Sequence, residues 1–159
     1  MPADVEELSE GEPAEVVLEN ALRKARAVAE PGALVIGCDT DVAVGGRLLG
    51  KPADEEQAKS HIAELCRHEH EVLSGLAVAG PEPERERSGV ERTSVAFRPL
   101  APGEVERYVA TGEWRERSGG YAVQGEAADF VDRIEGDVDN VVGLPLALLL
   151  DLAPELRVA

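Results

Sequence analysis

Hydrophobic residues recur with a helical period near the start of the chain. Pro13 is typical of a first helical position and Pro31-Gly32 ends the pattern, so the sequence predicts a helix from residue 13 to about residue 30. The predicted apolar stripe consists of Val17, Leu18, Ala21, Leu22, Ala25 and Val28. Lys24 lies at the margin of this stripe, where two interpretations are open. Its ammonium group either snorkels to the surface or points into a cleft.

A second apolar run, at residues 34–39, is predicted to form a strand that ends in the carboxylate of Asp39. A Gly45-Gly46 turn then brings a second strand back toward Lys51. Ligands of open α/β sheets bind in the crevice beyond the strand ends. We therefore expect Asp39 and Lys51 to lie close together on the floor of an active site.

The rest of the pattern mixes helices and strands. A capping box at Asp54 and Gln57 predicts a helix that reaches about Arg67. Further predictions are strands at 70–79, 90–98, 130–134 and 141–142, a short helix that ends near 111, a glycine-rich loop at 114–125 and an apolar helix that stops near 154. Such intermixing favours the α/β class with a mixed sheet. We expect a single domain over residues 1–159, with two lobes and a cleft between them.

Charge and cysteine content narrow the classes of function. The formal net charge is −16, from 32 acidic and 16 basic residues, which disfavours nucleic acid and anionic membranes as partners. Two cysteines, Cys38 and Cys66, cannot form a disulfide framework, and no leader or membrane-spanning run is evident. We therefore expect a cytoplasmic protein with no membrane partner. The spacing of His61, Cys66, His68 and His70 fits no zinc motif, which favours a surface cluster over a metal site.

Several short motifs occur in one order along nearly the whole chain. The longest are Gly37-Cys38-Asp39-Thr40, Gly50-Lys51-Pro52, Gly119-Gly120-Tyr121-Ala122-Val123-Gln124-Gly125, Ile134-Glu135-Gly136-Asp137 and Asn140-Val141-Val142-Gly143-Leu144-Pro145-Leu146. With these motifs the sequence resembles the Maf family of nucleoside triphosphate pyrophosphatases. The resemblance implies a Maf/ITPase-like fold and hydrolysis of a nucleoside triphosphate to the monophosphate and pyrophosphate. It also implies a role in removing non-standard or surplus nucleotides, and a homodimer by analogy.

The resemblance also implies which residues form the site. Attack of water at the α-phosphate needs a proton acceptor and positive charge on the leaving group, which a divalent cation, Mg²⁺ or Mn²⁺, supplies. Asp39 matches the catalytic aspartate, as base or metal ligand, and Glu7 is the second candidate ligand. The expected catalytic and substrate-binding residues are Lys24, Lys51 and Gln124, joined in substrate binding by Thr40 and Gly125. The Gln124 loop implies a preference for dTTP and UTP, and modified nucleotides are the other substrates expected from the resemblance.

The sequence departs from the family pattern at several points. Members begin with a strand and a Ser-x-Ser-Pro-Arg-Arg loop whose arginines line the triphosphate site, and no such segment occurs here, so we expect an N-terminally truncated chain. Asp41 stands at an aliphatic position and Ser118 at an alanine position. Two alternatives follow. A catalytically impaired nucleotide-binding remnant would explain the missing loop. An acidic protein-interaction domain would explain the charge but not the combination of Lys24, Asp39, Lys51 and Gln124.

Overall fold

Five α-helices and five strands form the main elements of the structure, a computed structural model that describes residues 4–80 and 85–157. The helices are α1 (Pro13–Ala27), α2 (Glu55–Leu65), α3 (Glu104–Thr111), α4 (Val138–Val142) and α5 (Leu146–Leu152). The strands are β1 (Val35–Val44), β2 (Arg47–Leu48), β3 (His70–Ala79), β4 (Arg87–Phe97) and β5 (Val131–Glu135). Among these described residues, no helix has the length and apolar character needed to cross a bilayer.

The strands form one sheet in the order β2-β1-β3-β4-β5. The predicted α/β class is confirmed, but every strand pair in the described residues is antiparallel, so the sheet is not mixed. β2 pairs only with Ala43 and Val44 of β1 in this part of the chain. The earlier residues of β1 therefore pair with β3 alone, in a register that sets Asp39 opposite Gly75.

Two predicted elements differ in the structure. β1 does not end at Asp39 but continues to Val44, because β3 supplies ladder partners up to Ala43. Residues 141–142, predicted to be a strand, instead end helix α4. The Asp137 side chain caps this helix by accepting a hydrogen bond from the Asp139 amide, and Gly143, with φ of 120°, ends it. These end signals outweigh the strand preference of the two valines.

Helix α1 lies directly on one face of the sheet. A Cβ atom at Gly37 would lie 2.2 Å from the carbonyl oxygen of Ala21, and one at Gly75 would lie 2.1 Å from that of Val17. Only glycine permits this approach. Contact through small residues also alters the predicted stripe of α1: Val16, Val17, Ala21 and Ala25 are buried, whereas Leu18, Leu22 and Val28 are only half-buried.

The other face of the sheet carries the larger core. Helices α2 and α3 pack there through Ile62, Leu65 and Tyr108, against strand residues such as Val72 and Val95. Helix α5 contributes Leu149 to a smaller cluster with Leu76 and Val78. The glycine-rich loop is anchored in the larger cluster through Trp114 and Tyr121. The larger and the smaller cluster therefore hold the sheet and the glycine-rich loop in place. The candidate site lies between the sheet and this loop.

Candidate functional site

Two neighbouring cavities open beside β1. The lysine cavity, of about 530 Å³, is lined by Lys24, Asp39 and Lys51 together with Glu7. The glutamine cavity, of about 470 Å³, is lined by Gln124 and Gly125 of the glycine-rich loop. Thr40 and Ser118 line both cavities. The structure thus divides the predicted site residues between two adjacent spaces that share a boundary.

Lys24 joins the two predicted metal ligands. Its Nζ lies 2.5 Å from Asp39 Oδ1 and 2.7 Å from Glu7 Oε1. Burial lowers the pKa of Lys24, but hydrogen bonds to Asp39 and Glu7 outweigh that effect and raise the pKa above its usual value. Lys24 is therefore a charged group in the lysine cavity, which answers the question that the helical pattern left open.

Asn20, which was not predicted from the sequence, holds Asp39 from the other side. Asn20 is 2 % exposed, and its Nδ2 donates to Asp39 Oδ2 at 3.0 Å. The same amide group accepts from the Leu8 amide and donates to the Leu8 carbonyl, so it also fixes the segment that carries Glu7. One signal was available: Asn20 lies four residues before Lys24 and therefore on the same face of α1.

Lys51 is the more accessible cation of the lysine cavity. Its side chain is 58 % exposed, and its Nζ lies 3.4 Å from Glu116 Oε2. An exposed pair of this kind contributes little stability, so an anionic ligand can displace Glu116 at small cost. Lys51 follows Gly50, whose φ of 66° turns the chain, and precedes the buried Pro52. The turn therefore fixes the backbone of Lys51 while its side chain stays free to reach a ligand.

The glycine-rich loop is held in place by buried hydroxyl groups. The Tyr121 hydroxyl lies 2.8 Å from Nε2 of buried His70. The Tyr108 hydroxyl donates to the Gly120 carbonyl at 2.9 Å. Gln124 itself is exposed, and no hydrogen bond of its side chain is found among the described residues. Its amide group therefore lines the glutamine cavity on a well-anchored loop.

The cleft as a whole is negative. Five acidic side chains line the two cavities: Glu7, Asp39, Asp41, Glu113 and Glu116. Three basic ones do so: Lys24, Lys51 and Arg117. Arg117 was not predicted, and no ion pair of its side chain is found within the described residues. A polyphosphate entering this cleft meets these three cations but also an excess of carboxylates.

The candidate metal ligands fit a hard cation that is shared with a substrate. In the part of the chain that is described, no group of three or more His, Cys, Asp and Glu side chains forms a closed metal site. Asp39 and Glu7 instead offer two carboxylates around one lysine. Mg²⁺ is usually held by one or two carboxylates together with substrate phosphates and water. The donor set therefore suits a cation that arrives with a nucleotide.

A sheet protein with a cleft that combines lysines, carboxylates and a glycine-rich loop belongs to the class whose side chains can contact a polyphosphate. Comparison with known proteins gives the particular family. Residues 1–156 match the family described as Maf-like protein. The chain therefore belongs to the Maf-like family, as the sequence motifs predicted.

Three relatives from different organisms match this protein over most of its length. A protein of Pelotomaculum thermopropionicum is 47% identical over 156 residues, which is 96% of this chain and 82% of the relative. One of Deinococcus radiodurans is 44% identical over 151 residues, which is 94% of this chain and 76% of the relative. One of Pyrococcus furiosus is 39% identical over 155 residues, which is 95% of this chain and 80% of the relative. Each of the three is named dTTP/UTP pyrophosphatase.

Proposed function

We propose that this protein hydrolyses dTTP and UTP to the nucleoside monophosphate and pyrophosphate. The names of its relatives agree with this activity and do not favour the alternative of an impaired nucleotide-binding remnant. The observation that carries the proposal is the meeting of Lys24, Asp39 and Lys51 in one cavity, next to the loop of Gln124. These residues come from α1, β1, the segment after β2 and the glycine-rich loop.

In the proposed mechanism, the protein's own residues position the triphosphate and the attacking water. Lys51 and Lys24 bind phosphate oxygens as compact positive charges. Asp39 accepts the proton of the water that attacks the α-phosphate, and its orientation is fixed by Lys24 on one oxygen and Asn20 on the other. Thr40, at the boundary of the cavities, lies where the phosphates and the nucleoside meet. Gln124 and Gly125 contact the nucleoside, the amide by donating and accepting hydrogen bonds.

A divalent cation, Mg²⁺ or Mn²⁺, supplies the positive charge that this negative cleft lacks. Asp39 and Glu7 are the side chains that would hold it, and when bound it neutralises charge on the phosphates and the pyrophosphate leaving group. Lys24 contacts the same two carboxylates, so it holds them near each other and oriented before the cation arrives.

Other expectations complete the proposal. The removal of surplus or non-standard nucleotides would suit a cytoplasmic enzyme, a location that the low cysteine content favours. A homodimer is expected by analogy with the family, and nucleic acid is not an expected partner because of the net charge of −16.

A comparison of two aspartate variants tests the proposal. The purified protein is incubated with dTTP, UTP, dATP and GTP plus Mg²⁺ or Mn²⁺, and released pyrophosphate is measured. Asp39→Asn, which removes the proton acceptor, is expected to lower kcat by at least about a hundredfold. Asp132→Asn is the matched control, since Asp132 is exposed on β5 and lines neither cavity. EDTA is expected to abolish activity, and added Mg²⁺ to restore it.

Three results would contradict the proposal. Nucleotide binding without turnover by the wild-type protein would support the remnant. Equal activity of Asp39→Asn and Asp132→Asn would remove Asp39 from the chemistry. Faster hydrolysis of dATP or GTP than of dTTP and UTP would reject the pyrimidine preference.

A further inference from the structure

Asp41 and Ser118 meet where three segments of the cleft converge. Asp41 lies on β1, and its Oδ1 accepts hydrogen bonds from the Val42 amide at 2.7 Å and from the Gly50 amide at 3.3 Å. The same oxygen accepts from the Ser118 hydroxyl, 77 residues away in sequence. Ser118 Oγ in turn accepts from the Val42 amide at 2.9 Å. One carboxylate oxygen therefore connects β1, the turn before Lys51 and the glycine-rich loop.

Backbone contacts reinforce the same junction. The Gly119 amide donates to the Gly50 carbonyl at 2.8 Å. A Cβ atom at Gly119 would lie 3.0 Å from the Val42 side chain, so the loop packs tightly against β1. The loop and the turn before Lys51 thus contact each other directly as well as through Asp41.

Each of the three segments carries a residue of the proposed site. Asp41 lies two residues after Asp39, on the same side of β1 because side chains alternate along a strand. Gly50 immediately precedes Lys51, and Ser118 lies in the same glycine-rich loop as Gln124. A shift of any segment at this junction changes the distances among Asp39, Lys51 and Gln124.

We propose that Asp41 is a positioning residue, which together with Ser118 fixes Lys51 and the Gln124 loop relative to Asp39. The expected effect on catalysis rests on the proposed function. The structural part of the proposal rests on the hydrogen bonds of Asp41. Asp41 acts here as a hydrogen-bond acceptor and not through its charge. An asparagine has an Oδ1 that can accept the same three hydrogen bonds. Asp41→Asn should therefore preserve the contacts among the three segments.

Steady-state kinetics of pyrophosphate release test this role in Asp41→Asn, Asp41→Ala, Ser118→Ala and the Asp41→Ala/Ser118→Ala double variant. Asp41→Ala is expected to lower kcat by ten- to about a hundredfold, as a displacement of about 1 Å can. Asp41→Asn should remain close to wild type. Ser118→Ala should lose activity, and the double variant should be no worse than Asp41→Ala, because both changes disrupt one junction. Full activity of Asp41→Ala, or additive losses in the double variant, would overturn the proposal.

Amide hydrogen exchange of Gly50 and Gly119, followed by NMR, tests the junction without turnover. Protection of both amides should be lost in Asp41→Ala and retained in Asp41→Asn. Unchanged protection in Asp41→Ala would overturn the positioning role even if that variant has lost activity. Inactivity of Asp41→Asn with intact protection would also overturn it, since charge would then be what matters. If the wild-type protein does not release pyrophosphate, the proposed function fails, while the exchange data still decide the structural part.

Discussion

His70, in the buried core beside the glutamine cavity, makes the stability of the protein depend on pH. Its side chain is 1 % exposed, and burial lowers its pKa to about 4. In the unfolded chain the pKa of a histidine is about 6.5. Between these values the unfolded state binds a proton that the folded state does not. The contribution of neutral His70 to stability is therefore complete above about pH 6.5 and is lost progressively as the pH falls toward 4.

We predict that His70→Phe removes this part of the pH dependence. Between about pH 7 and pH 4 the wild-type protein should lose up to about 3 kcal/mol more unfolding free energy than the variant does. Urea denaturation at a series of pH values measures the difference. His68→Phe, at an exposed neighbouring position, serves as the control and should keep the wild-type slope. Parallel curves for wild type and His70→Phe would contradict the prediction.

Among single residues, the sequence identified those whose side-chain type and local motif indicate a chemical role. Asp39, Lys24 and Lys51 stand out by type and motif, and the structure places them around one cavity. The contact of Asp41 with Ser118 joins positions 77 residues apart, and no periodicity or local motif encodes such a pair. Asn20 lies between these cases, because its helix face could be inferred but its hydrogen bond to Asp39 depends on the tertiary packing of α1.

Among the elements, α1 determines how close Lys24 comes to Asp39. The helix contacts the sheet through Gly37 and Gly75, and side chains at these positions would collide with helix backbone atoms. A backbone carbonyl cannot rotate away as a side chain can. The distance between α1 and β1, and with it the Lys24 to Asp39 contact, therefore depends on two glycines outside the cavity.

We predict that Gly75→Ala displaces α1. The substitution should lower the unfolding free energy by about 3 kcal/mol, the upper end of the usual cost of overpacking, and should reduce activity as Lys24 moves. Gly89→Ala is a matched control on β4, because its new methyl group meets only the end of the Leu148 side chain, at 3.1 Å. That change should alter stability by no more than about 1 kcal/mol. Urea denaturation measures the unfolding free energy of both variants. Equal losses would show that α1 can move to accommodate the new methyl group.

Hydrophobic patterning predicted most elements because their apolar faces and end signals are local. The start of α1, the Gly45-Gly46 turn and the Asp54 cap are all found in the structure. The extension of β1 past Asp39 was missed because it depends on the pairing partner that β3 provides. The helical state of residues 141–142 was missed because the cap at Asp137 and the stop at Gly143 outweighed two β-branched residues.

For the molecule as a whole, charge opposes the encounter with an anionic substrate. The chain carries a formal charge of −16, and acidic side chains also outnumber basic ones in the cleft. Electrostatic repulsion at this range slows association and is reduced by salt, whose Debye length falls from about 30 Å at 0.01 M to about 8 Å at 0.15 M.

We predict that kcat/KM rises, by up to about tenfold, when KCl increases from about 0.01 M to about 0.15 M at constant free Mg²⁺. The value of kcat should not change, because salt alters the encounter and not the bound complex. Initial rates of pyrophosphate release over a range of dTTP concentrations separate the two parameters. A steady fall of kcat/KM with salt would show instead that Lys24, Lys51 and Arg117 dominate the field that the substrate meets.

The boundary formed by Thr40 and Ser118 has a practical consequence for chemical probes. Because both residues line both cavities, a compound that occupies the two spaces passes beside them. Two small fragments, one acidic and one a neutral heterocycle, could be found separately and then connected across this boundary by a short tether. The second fragment would then bind at the high effective concentration that a tether of matching length provides.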